Sequence, residues 1–300
     1  MENIRGVIVG IVDVGSNSMR LLVARVSRGT VKELERERVY LRLGDDAYRL
    51  GRIGPEKLEQ TGQMAERFAR IARKEGVERL ETVVTAPGRQ AANGDELVRA
   101  IAKATRAPVV VLDAEEEGRL AWQGAVSRMS DPPDSVAVVD LGGGSCEIAV
   151  GKPGDGPAWV QSRDAGALRV TRAFLPGHRL SKRDVWTASV EVHRLLVGMD
   201  PPSPDAALAV GGTARAIGRL VGRRFGEDDL TKLAKAIVRK GPQAIVAGTG
   251  ITRDRAETLL GGTLVLAEVS RLLGTRLEVG RGGLREGAAL ALALEVAAVA

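Results

Sequence analysis

The chain is poor in residues on which several common kinds of protein depend. It has one cysteine, Cys146, which excludes an intrachain disulfide framework and a zinc site built on cysteines. Only 3% of its residues are aromatic, so nucleic-acid binding by base stacking has little support. Its two histidines, His178 and His193, fall in a predicted loop and a predicted helix, neither near Cys146 in the sequence. We therefore interpret Cys146 as a small strand residue, and a Cys–His nucleophile as the weaker alternative.

The chain also has no hydrophobic segment long enough to cross a bilayer. The longest apolar stretch, residues 288–300, contains Glu295 and is shorter than the about 20 residues that a membrane-spanning helix needs. The first six residues are mostly polar and lead directly into a predicted strand, so we expect no signal peptide. These features predict a cytoplasmic protein with no membrane partner.

The charge balance limits the choice of partner only in part. The formal net charge is +6 and the sequence pI is about 9.7, so the chain should attract nucleic acid, an anionic membrane or a phosphate-rich small molecule. The arginines are scattered, however, and an ordinary solvated surface explains the charge equally well. We predict no specific nucleic-acid partner. A chain of 300 residues, 44% of them hydrophobic, fits one large or two ordinary globular domains.

Residues 136–150 form the stretch around which the chain is organised. Two apolar, β-branched runs flank a turn with three successive glycines, which predicts a β-hairpin. Glycines lack a Cβ atom, so successive backbone N–H groups can point to one side and approach an anion. The pattern therefore predicts phosphate binding. The residues of this stretch that could take part in a binding or catalytic site are Asp140 before the turn, Gly142, Gly143, Gly144 and Ser145 within it, and Glu147 after it.

Residues 8–24 repeat this pattern without gaps, with Asp13 in the place of Asp140. Two copies, each between strand-like runs, predict an α/β protein built from a duplicated domain, with its site between the halves. The phosphate-binding candidates of the first copy are Ser16, Asn17 and Ser18.

Helical and strand-like segments alternate along the rest of the chain. Residues 43–53 are polar and punctuated by glycine, so we predict a loop there. Pro55 begins a predicted helix, and Asn93 is expected to cap another. In the second half, a predicted strand leads into a helix whose first N–H groups offer a further anion site. The residues that open this helix are Gly211, Gly212 and Thr213.

An acidic run, Glu115 to Glu117, opens the helix that precedes the second hairpin. Acidic residues in a first helical turn complement the helix dipole, which by itself accounts for all three glutamates. The run also follows the end of a strand and lies where the two repeats are expected to meet. A catalytic role therefore stands beside the structural one.

Several motifs occur together, in one order, along nearly the whole chain. They are Asp13-Val-Gly-Ser-Asn-Ser18, Glu116-Glu117-Gly-Arg119, Asp140-Leu-Gly-Gly-Gly-Ser145, Gly211-Gly212-Thr213 and Leu284-Arg-Glu-Gly287. In this combination the chain resembles the short, two-domain members of the exopolyphosphatase and guanosine pentaphosphate phosphatase (Ppx/GppA) family. The resemblance implies two ribonuclease H-like domains of the actin, sugar kinase and Hsp70 superfold, with the active site in the cleft between them. We predict domains at 1–122, completed by the last helix 284–300, and at 123–283.

The resemblance also implies roles for particular residues. In the family the glutamate matching Glu117 acts on the attacking water, and Glu116 is the neighbour most easily confused with it. Arg89 matches a family arginine and is predicted to clamp a phosphate. Its alternative is a surface arginine at a helix start, where a cation opposes the dipole unless an anion offsets it.

The implied cofactor is Mg²⁺, or Mn²⁺ in its place. Asp140 and Asp13, and after them Glu147, are placed like the carboxylates that hold this ion, which takes oxygen ligands and keeps several waters. Each aspartate could instead cap its own turn.

Together these residues predict a Mg²⁺-dependent phosphatase with water as the nucleophile. Its substrate is the terminal phosphate of inorganic polyphosphate, with pppGpp as the alternative, and the resemblance implies a homodimer. Two other classes stay open. A kinase of the same superfold would share the hairpins but should place an aspartate as base near its acceptor. A non-catalytic nucleotide-binding or filament-forming protein would need only the hairpins.

Overall fold

The computed structural model describes residues 6–175, 177 and 180–299, so His178 lies outside the described residues. The chain divides into two compact units, Met1–Met129 with Gly282–Ala300, and Ser130–Arg281. Each unit contains a mixed sheet covered by helices. The predicted α/β class is therefore confirmed. None of the described helices is long and apolar enough to cross a membrane.

The first unit is built on a five-stranded sheet in the order β3-β2-β1-β4-β5. Strands β1 to β3 are antiparallel, whereas β4 and β5 run parallel to β1. The strands are β1 (Val7–Val14), β2 (Met19–Ser27), β3 (Thr30–Val39), β4 (Arg79–Val84) and β5 (Val109–Val111). The helices are α1 (Leu43–Leu50), α2 (Pro55–Lys74), α3 (Ala86–Gln90), α4 (Gly94–Thr105), α5 (Ala114–Val126) and, from the end of the chain, α13 (Leu284–Val299).

Both faces of the first sheet are covered, which explains why β1 and β2 are apolar almost throughout. One face packs against α2 and α4 through Phe68 and Leu97. The other face packs against α5 and α13 through Leu120 and Leu292. Strands buried on both faces lose the polar alternation of a half-exposed sheet. The last helix thus completes the core of the first unit.

The Gly280–Gly283 segment before α13 has a packing explanation that the sequence alone did not offer. A Cβ atom on Gly124, in α5, would overlap the carbonyl group of Gly283. Gly282 and Gly283 also have φ angles of +84° and +145°, which side chains disfavour. Glycine therefore lets the start of α13 lie directly against α5.

The second unit is built on a six-stranded sheet in the order β10-β11-β9-β6-β7-β8 around one hydrophobic core. Its strands are β6 (Val136–Leu141), β7 (Cys146–Lys152), β8 (Gly156–Arg163), β9 (Ala206–Val210), β10 (Arg224–Phe225) and β11 (Leu277–Val279). Its helices are α6 (Ala167–Phe174), α7 (Lys182–Leu196), α8 (Gly211–Val221), α9 (Glu227–Lys240), α10 (Pro242–Val246), α11 (Arg253–Glu257) and α12 (Leu259–Leu272).

The two predicted hairpins have the same surroundings in their respective units. Strands β1 and β2 pair antiparallel, and β4 joins β1 in parallel; β6 and β7 pair antiparallel, and β9 joins β6 in parallel. The repeat seen in the sequence is thus a repeat of local structure. The predicted domain boundaries at 122/123 and 283/284 stay predictions; residue 122 falls inside α5.

The predicted loop at residues 43–53 is wrong, because Leu43–Leu50 forms helix α1. Asp45 and Asp46 lie in its first turn, where acidic residues suit the helix dipole. Gly51, with φ +68°, ends it in the left-handed conformation that glycine favours. The glycines that suggested a loop therefore occupy the first turn and the C-cap of a short helix.

Candidate active site

The turn between β1 and β2 holds its backbone in a fixed orientation. The Gly15 N–H donates to the Ser18 carbonyl at 3.2 Å. The Ser16 and Asn17 carbonyls accept from the N–H groups of Gly44 (2.8 Å) and Arg42 (3.1 Å), at the start of α1. In a trans peptide the C=O and the following N–H point in opposite directions. The N–H groups of Asn17 and Ser18 therefore face away from α1, as an anion-binding turn requires.

The turn between β6 and β7 is built in the same way. The Gly142 N–H donates to the Ser145 carbonyl at 3.1 Å, and the carbonyls of Gly142 and Gly143 accept from the first three N–H groups of α6 at 3.0 Å. The N–H groups of Gly143 and Gly144 therefore face away from α6. This close approach depends on Gly166, where a Cβ atom would overlap the backbone of Gly143.

The side chains of the first turn are buried, although all three are polar. Ser16, Asn17 and Ser18 are each less than 8% exposed. Ser18 Oγ accepts from Nε of Arg20 at 3.0 Å. Among the described residues the Ser16 hydroxyl has no hydrogen-bond partner. A buried hydroxyl without a partner costs about 1–3 kcal/mol, so a ligand that supplies one would be favoured at Ser16.

Asp13 lies among arginines. It faces Arg20 across the β1–β2 ladder, and its Oδ2 is 4.0 Å from Nε of the buried Arg285. Burial raises the pKa of Asp13, although Arg20 and Arg285 pull it down. Burial also lowers the pKa of Arg285 to about 10. The first turn thus has cations of its own beside its aspartate.

Arg285 was not predicted as a site residue, although it belongs to the motif Leu284-Arg-Glu-Gly287 on which the family resemblance rests. Arg285 is in the first turn of α13, where a cation opposes the helix dipole. The same dipole argument favoured a functional role for Arg89, which the family resemblance had pointed to, and it would have indicated Arg285 as well.

Asp140 and Glu147 face each other across the β6–β7 ladder. Glu147 is 1% exposed, and its Oε1 accepts from the Ser162 hydroxyl at 2.8 Å. Like charges directly opposite on neighbouring strands destabilise a sheet. A divalent ion with oxygen ligands would offset that repulsion, so this pair fits Mg²⁺. Among the described residues no three or more His, Cys, Asp or Glu side chains cluster to hold a metal ion, and Mg²⁺ commonly uses one or two carboxylates with water and phosphate oxygens.

The start of α8 lies beside this pair. Gly211 has a φ of +90°, and a Cβ atom on it would lie 3.2 Å from Oδ1 of Asp140. The buried Arg255 donates from Nη1 to the Thr213 hydroxyl at 3.0 Å and occupies the space beside Gly212 that a side chain would fill. Sequence reasoning missed Arg255, because nothing in the spacing of α11 and α8 predicts this contact.

Glu117 differs from the neighbouring acidic residues in its burial. The Asp113 side chain caps α5 by accepting from the Glu116 N–H at 2.8 Å. Glu115 and Glu116 are exposed, as the helix-dipole explanation expects, whereas Glu117 is 5% exposed. A buried carboxylate in a first turn needs more than the dipole to explain it.

The partner of Glu117 is Arg89, which lies in α3. Nη2 of Arg89 donates to Oε2 of Glu117 at 2.9 Å, and Nη1 donates to the Leu112 carbonyl at 2.6 Å. The Arg89 side chain is only 21% exposed, so the surface-arginine alternative does not describe it. This fork fixes the orientation of the Glu117 carboxylate. Its predicted contact with a phosphate stays a prediction.

Cys146 is fully buried in β7. Burial raises the pKa of its thiol well above the usual value, and the charges of Glu147 and Asp140 raise it further. A thiolate is therefore disfavoured. His193 is half-exposed on α7 and contacts Glu268, with Nδ1 2.8 Å from Oε1. The structure gives no support to a nucleophile at Cys146.

Comparison with known proteins identifies the family. The sequence profile of the Ppx/GppA phosphatase family matches residues 22–296. The chain belongs to this family. Exopolyphosphatase 2 of Mycobacterium tuberculosis is 28% identical over 315 residues, which cover 95% of this chain and 98% of that protein. Exopolyphosphatase 1 of the same species is 27% identical over 297 residues, covering 93% and 86%.

Solved Ppx/GppA structures share the fold. The Aquifex aeolicus family member superimposes with a TM-score of 0.81 at 24% identity, covering 96% of this chain and 98% of that one. An exopolyphosphatase from Cytophaga hutchinsonii gives a TM-score of 0.85 at 20% identity, covering 95% and 97%. At these identities the likeness concerns the fold alone.

The predicted site residues of this Ppx/GppA chain fall into one group in each unit. The first unit contains Asp13, Ser16, Asn17, Ser18, Arg89, Glu116 and Glu117; the second contains Asp140, Gly142, Gly143, Gly144, Ser145, Glu147, Gly211, Gly212 and Thr213. Within the first unit, Arg89 and Glu117 form a direct pair. Within the second, Asp140 lies close to both Glu147 and Gly211.

Proposed function

We propose that this Ppx/GppA phosphatase hydrolyses the terminal phosphoanhydride of inorganic polyphosphate and releases orthophosphate, with water as the nucleophile. The exopolyphosphatase names of its relatives support the substrate class. The single observation that carries the proposal is the buried Glu117, held by the Arg89 fork at the start of α5.

Glu117 serves to orient and deprotonate the attacking water. Phosphoryl transfer requires little covalent chemistry from the protein, so positioning and charge stabilisation supply most of the catalysis. A carboxylate that accepts from an arginine, itself anchored to the Leu112 carbonyl, and that is shielded from bulk water is suited to hold a water molecule in one place. The exposed Glu116 lacks both features.

Each of the two turns, taken by itself, is suited to bind phosphate. The N–H groups of Asn17 and Ser18, and those of Gly143 and Gly144, offer donors that face away from the supporting helices. Near the first turn, Arg285 adds a buried positive charge and the Ser16 hydroxyl adds a donor. Such donors would stabilise the charge on the transferred phosphoryl group.

A Mg²⁺ ion, or Mn²⁺, would be held by Asp140 and Glu147. When bound, it neutralises charge on the phosphate oxygens. Asp13 already has Arg20 and Arg285 beside it, so it is less suited to share the ion. Its role would be to hold these arginines in place for the substrate.

The proposal is tested by phosphate release from short polyphosphate, long polyphosphate, pppGpp and ATP, each with Mg²⁺ and with a chelator. Glu117→Gln should abolish release with the fold retained, whereas the matched Glu116→Gln should keep most of it. Because pppGpp also ends in a phosphoanhydride, it is the alternative substrate. Release from pppGpp alone would therefore show that the protein is a pppGpp phosphohydrolase. Release that survives in Glu117→Gln would overturn the assigned role of Glu117. A folded protein that binds nucleotide tightly and releases nothing would be the non-catalytic binding protein.

A further inference from the structure

Residues 42–54 connect two parts of the candidate site in the first unit. At one end, the N–H groups of Arg42 and Gly44 donate to the Asn17 and Ser16 carbonyls at 3.1 and 2.8 Å. These bonds set the direction of the turn that we propose binds phosphate. Helix α1 occupies most of the segment, which makes the segment stiff.

At the other end, the segment is bound to the turn that follows Arg89. The Ile53 N–H donates to Oδ1 of Asn93 at 2.8 Å, and Nδ2 of Asn93 donates back to the Ile53 carbonyl at 3.0 Å. The Ala92 N–H also donates to the Gly51 carbonyl at 2.9 Å. Asn93 was expected to cap α4, but its side chain makes no capping bond and pairs with this buried backbone instead. It lies four residues after Arg89.

A third contact fastens the two ends of the segment to each other. Nζ of Lys57, on α2, donates to the Arg42 carbonyl at 2.7 Å and lies 2.8 Å from Oδ1 of Asp46. Oδ2 of Asp46 accepts from the Gly54 N–H at 3.0 Å. Burial alone would raise the pKa of Asp46, but the bonds from Lys57 and Gly54 outweigh it and keep this pKa low. Asp46 therefore stays ionised beside the lysine at neutral pH.

Hydrophobic burial alone would not hold the segment in one defined position. Leu43 and Ile53 are both fully buried and anchor the segment to the core of the first unit. Apolar contact is not directional, however, and tolerates small shifts along the surface. The polar contacts add a defined register between the segment and the two turns.

We propose that residues 42–54 act as a brace that fixes the Ser16–Ser18 turn relative to Arg89, with Lys57 and Asn93 as its positioning residues. The expected effect on KM rests on the proposed function, whereas the expected effect on amide exchange does not. If the segment is a brace, loosening it at one end must loosen the other.

The first test is amide hydrogen exchange in Asn93→Ser and Lys57→Met. Asn93 bonds to Ile53, near the opposite end of the segment from Arg42 and Gly44. Asn93→Ser should nevertheless speed exchange of the Arg42 and Gly44 amides roughly tenfold, by raising the population of local openings. Lys57→Met should in turn speed exchange of the Ile53 amide. Lys74→Met, an exposed change on the same helix, is the control and should alter neither. Lys57 is partly exposed, so we expect Lys57→Met to fold. Exchange of the Ile53 amide in this variant therefore tests the coupling even if Asn93→Ser fails to fold.

The second test is steady-state kinetics on polyphosphate. Lys57→Met should raise KM several-fold with kcat nearly unchanged, because the phosphate turn loses its fixed orientation. Lys57→Arg, which can still donate to Arg42 and Asp46, should restore both KM and amide protection. Faster exchange confined to the mutated end, or an unchanged KM with faster exchange at Gly44, would overturn the proposal. If the wild type releases no phosphate, the proposed function fails while the exchange data still decide whether the brace exists.

Discussion

The two hairpin turns share a backbone and differ in charge. Each closes with one N–H to C=O bond, Gly15 to Ser18 and Gly142 to Ser145, and each has its carbonyls bound by the start of a helix. Across the ladder, however, Asp13 faces an arginine, whereas Asp140 faces Glu147. A duplicated scaffold has therefore acquired opposite electrostatic environments at equivalent positions.

From this difference we infer that the two turns have different roles. The first turn supplies its own cations, Arg20 and Arg285, and is suited to bind the substrate's phosphate groups directly. The second turn places two carboxylates opposite each other, and we propose that it binds a cation from solution. Under the proposed function, similar peptide geometry would bind an anion in one unit and a metal ion in the other.

Glu147→Gln should have the largest effect on the second turn. It removes one of two facing carboxylates while leaving an oxygen to accept from Ser162, so phosphate release should fall about 100-fold or more. Without metal, the variant should be more stable than the wild type by about 0.5–1 kcal/mol, because the repulsion is relieved. Activity assays and urea unfolding in chelator measure both effects. Unchanged activity would show that the facing carboxylates have no functional role.

Two glycine substitutions, one before the helix that supports the second turn and one within the first turn, compare how closely each glycine is packed. Gly166→Ala forces a Cβ atom into the Gly143 backbone and should destabilise the second unit by about 3 kcal/mol. Gly15→Ala meets its nearest atom at 3.6 Å and should cost less than about 1 kcal/mol. Thermal unfolding followed by circular dichroism measures both. Equal losses would contradict the close approach of Gly166 to the Gly143 backbone.

Arg285→Gln tests whether the cations of the first turn bind phosphate. Removing the buried charge should raise KM for polyphosphate about tenfold, with a smaller change in kcat, and leave Mg²⁺ affinity unaltered. Steady-state kinetics at several Mg²⁺ concentrations separate these quantities. A loss of Mg²⁺ affinity would instead tie Arg285 to the metal site.

Substituting Cys146 should have the smallest effect. In the repeat, Cys146 corresponds to Met19, and both are fully buried. Since burial raises the pKa of the thiol, iodoacetamide at pH 8 should label Cys146 only after unfolding, and Cys146→Ala should keep its activity. Mass spectrometry of the labelled native protein checks the first expectation. Rapid native labelling would reopen the nucleophile hypothesis.

The hairpins could be predicted because β-branched runs around a glycine turn are a local signal. The four strands of the two hairpins end within a few residues of the predicted stretches 8–24 and 136–150. Sequence reasoning failed at α1, since Gly44 and Gly51 resemble loop glycines until their helical positions are known. The resemblance, not the pattern, distinguished Glu117 from Glu116; the structure adds that only Glu117 is buried.

Contacts that join distant parts of the chain were beyond sequence reasoning. Asn93 looked like a helix cap because its local position is that of a cap, but its partner Ile53 comes from another segment. Arg285 reaches Asp13 from the opposite end of the chain. For Asn93 a local rule gave the correct position at the start of a helix, and for both residues tertiary packing decided what the side chain contacts.

The inferred difference in role between the two turns is tested most directly by Mg²⁺ binding to the wild type, Asp140→Asn and Asp13→Asn, measured by calorimetry. We expect Asp140→Asn to lose most of its Mg²⁺ affinity and Asp13→Asn to retain it, since Asp13 already lies beside Arg20 and Arg285. The opposite order, with affinity lost in Asp13→Asn and kept in Asp140→Asn, would contradict the account.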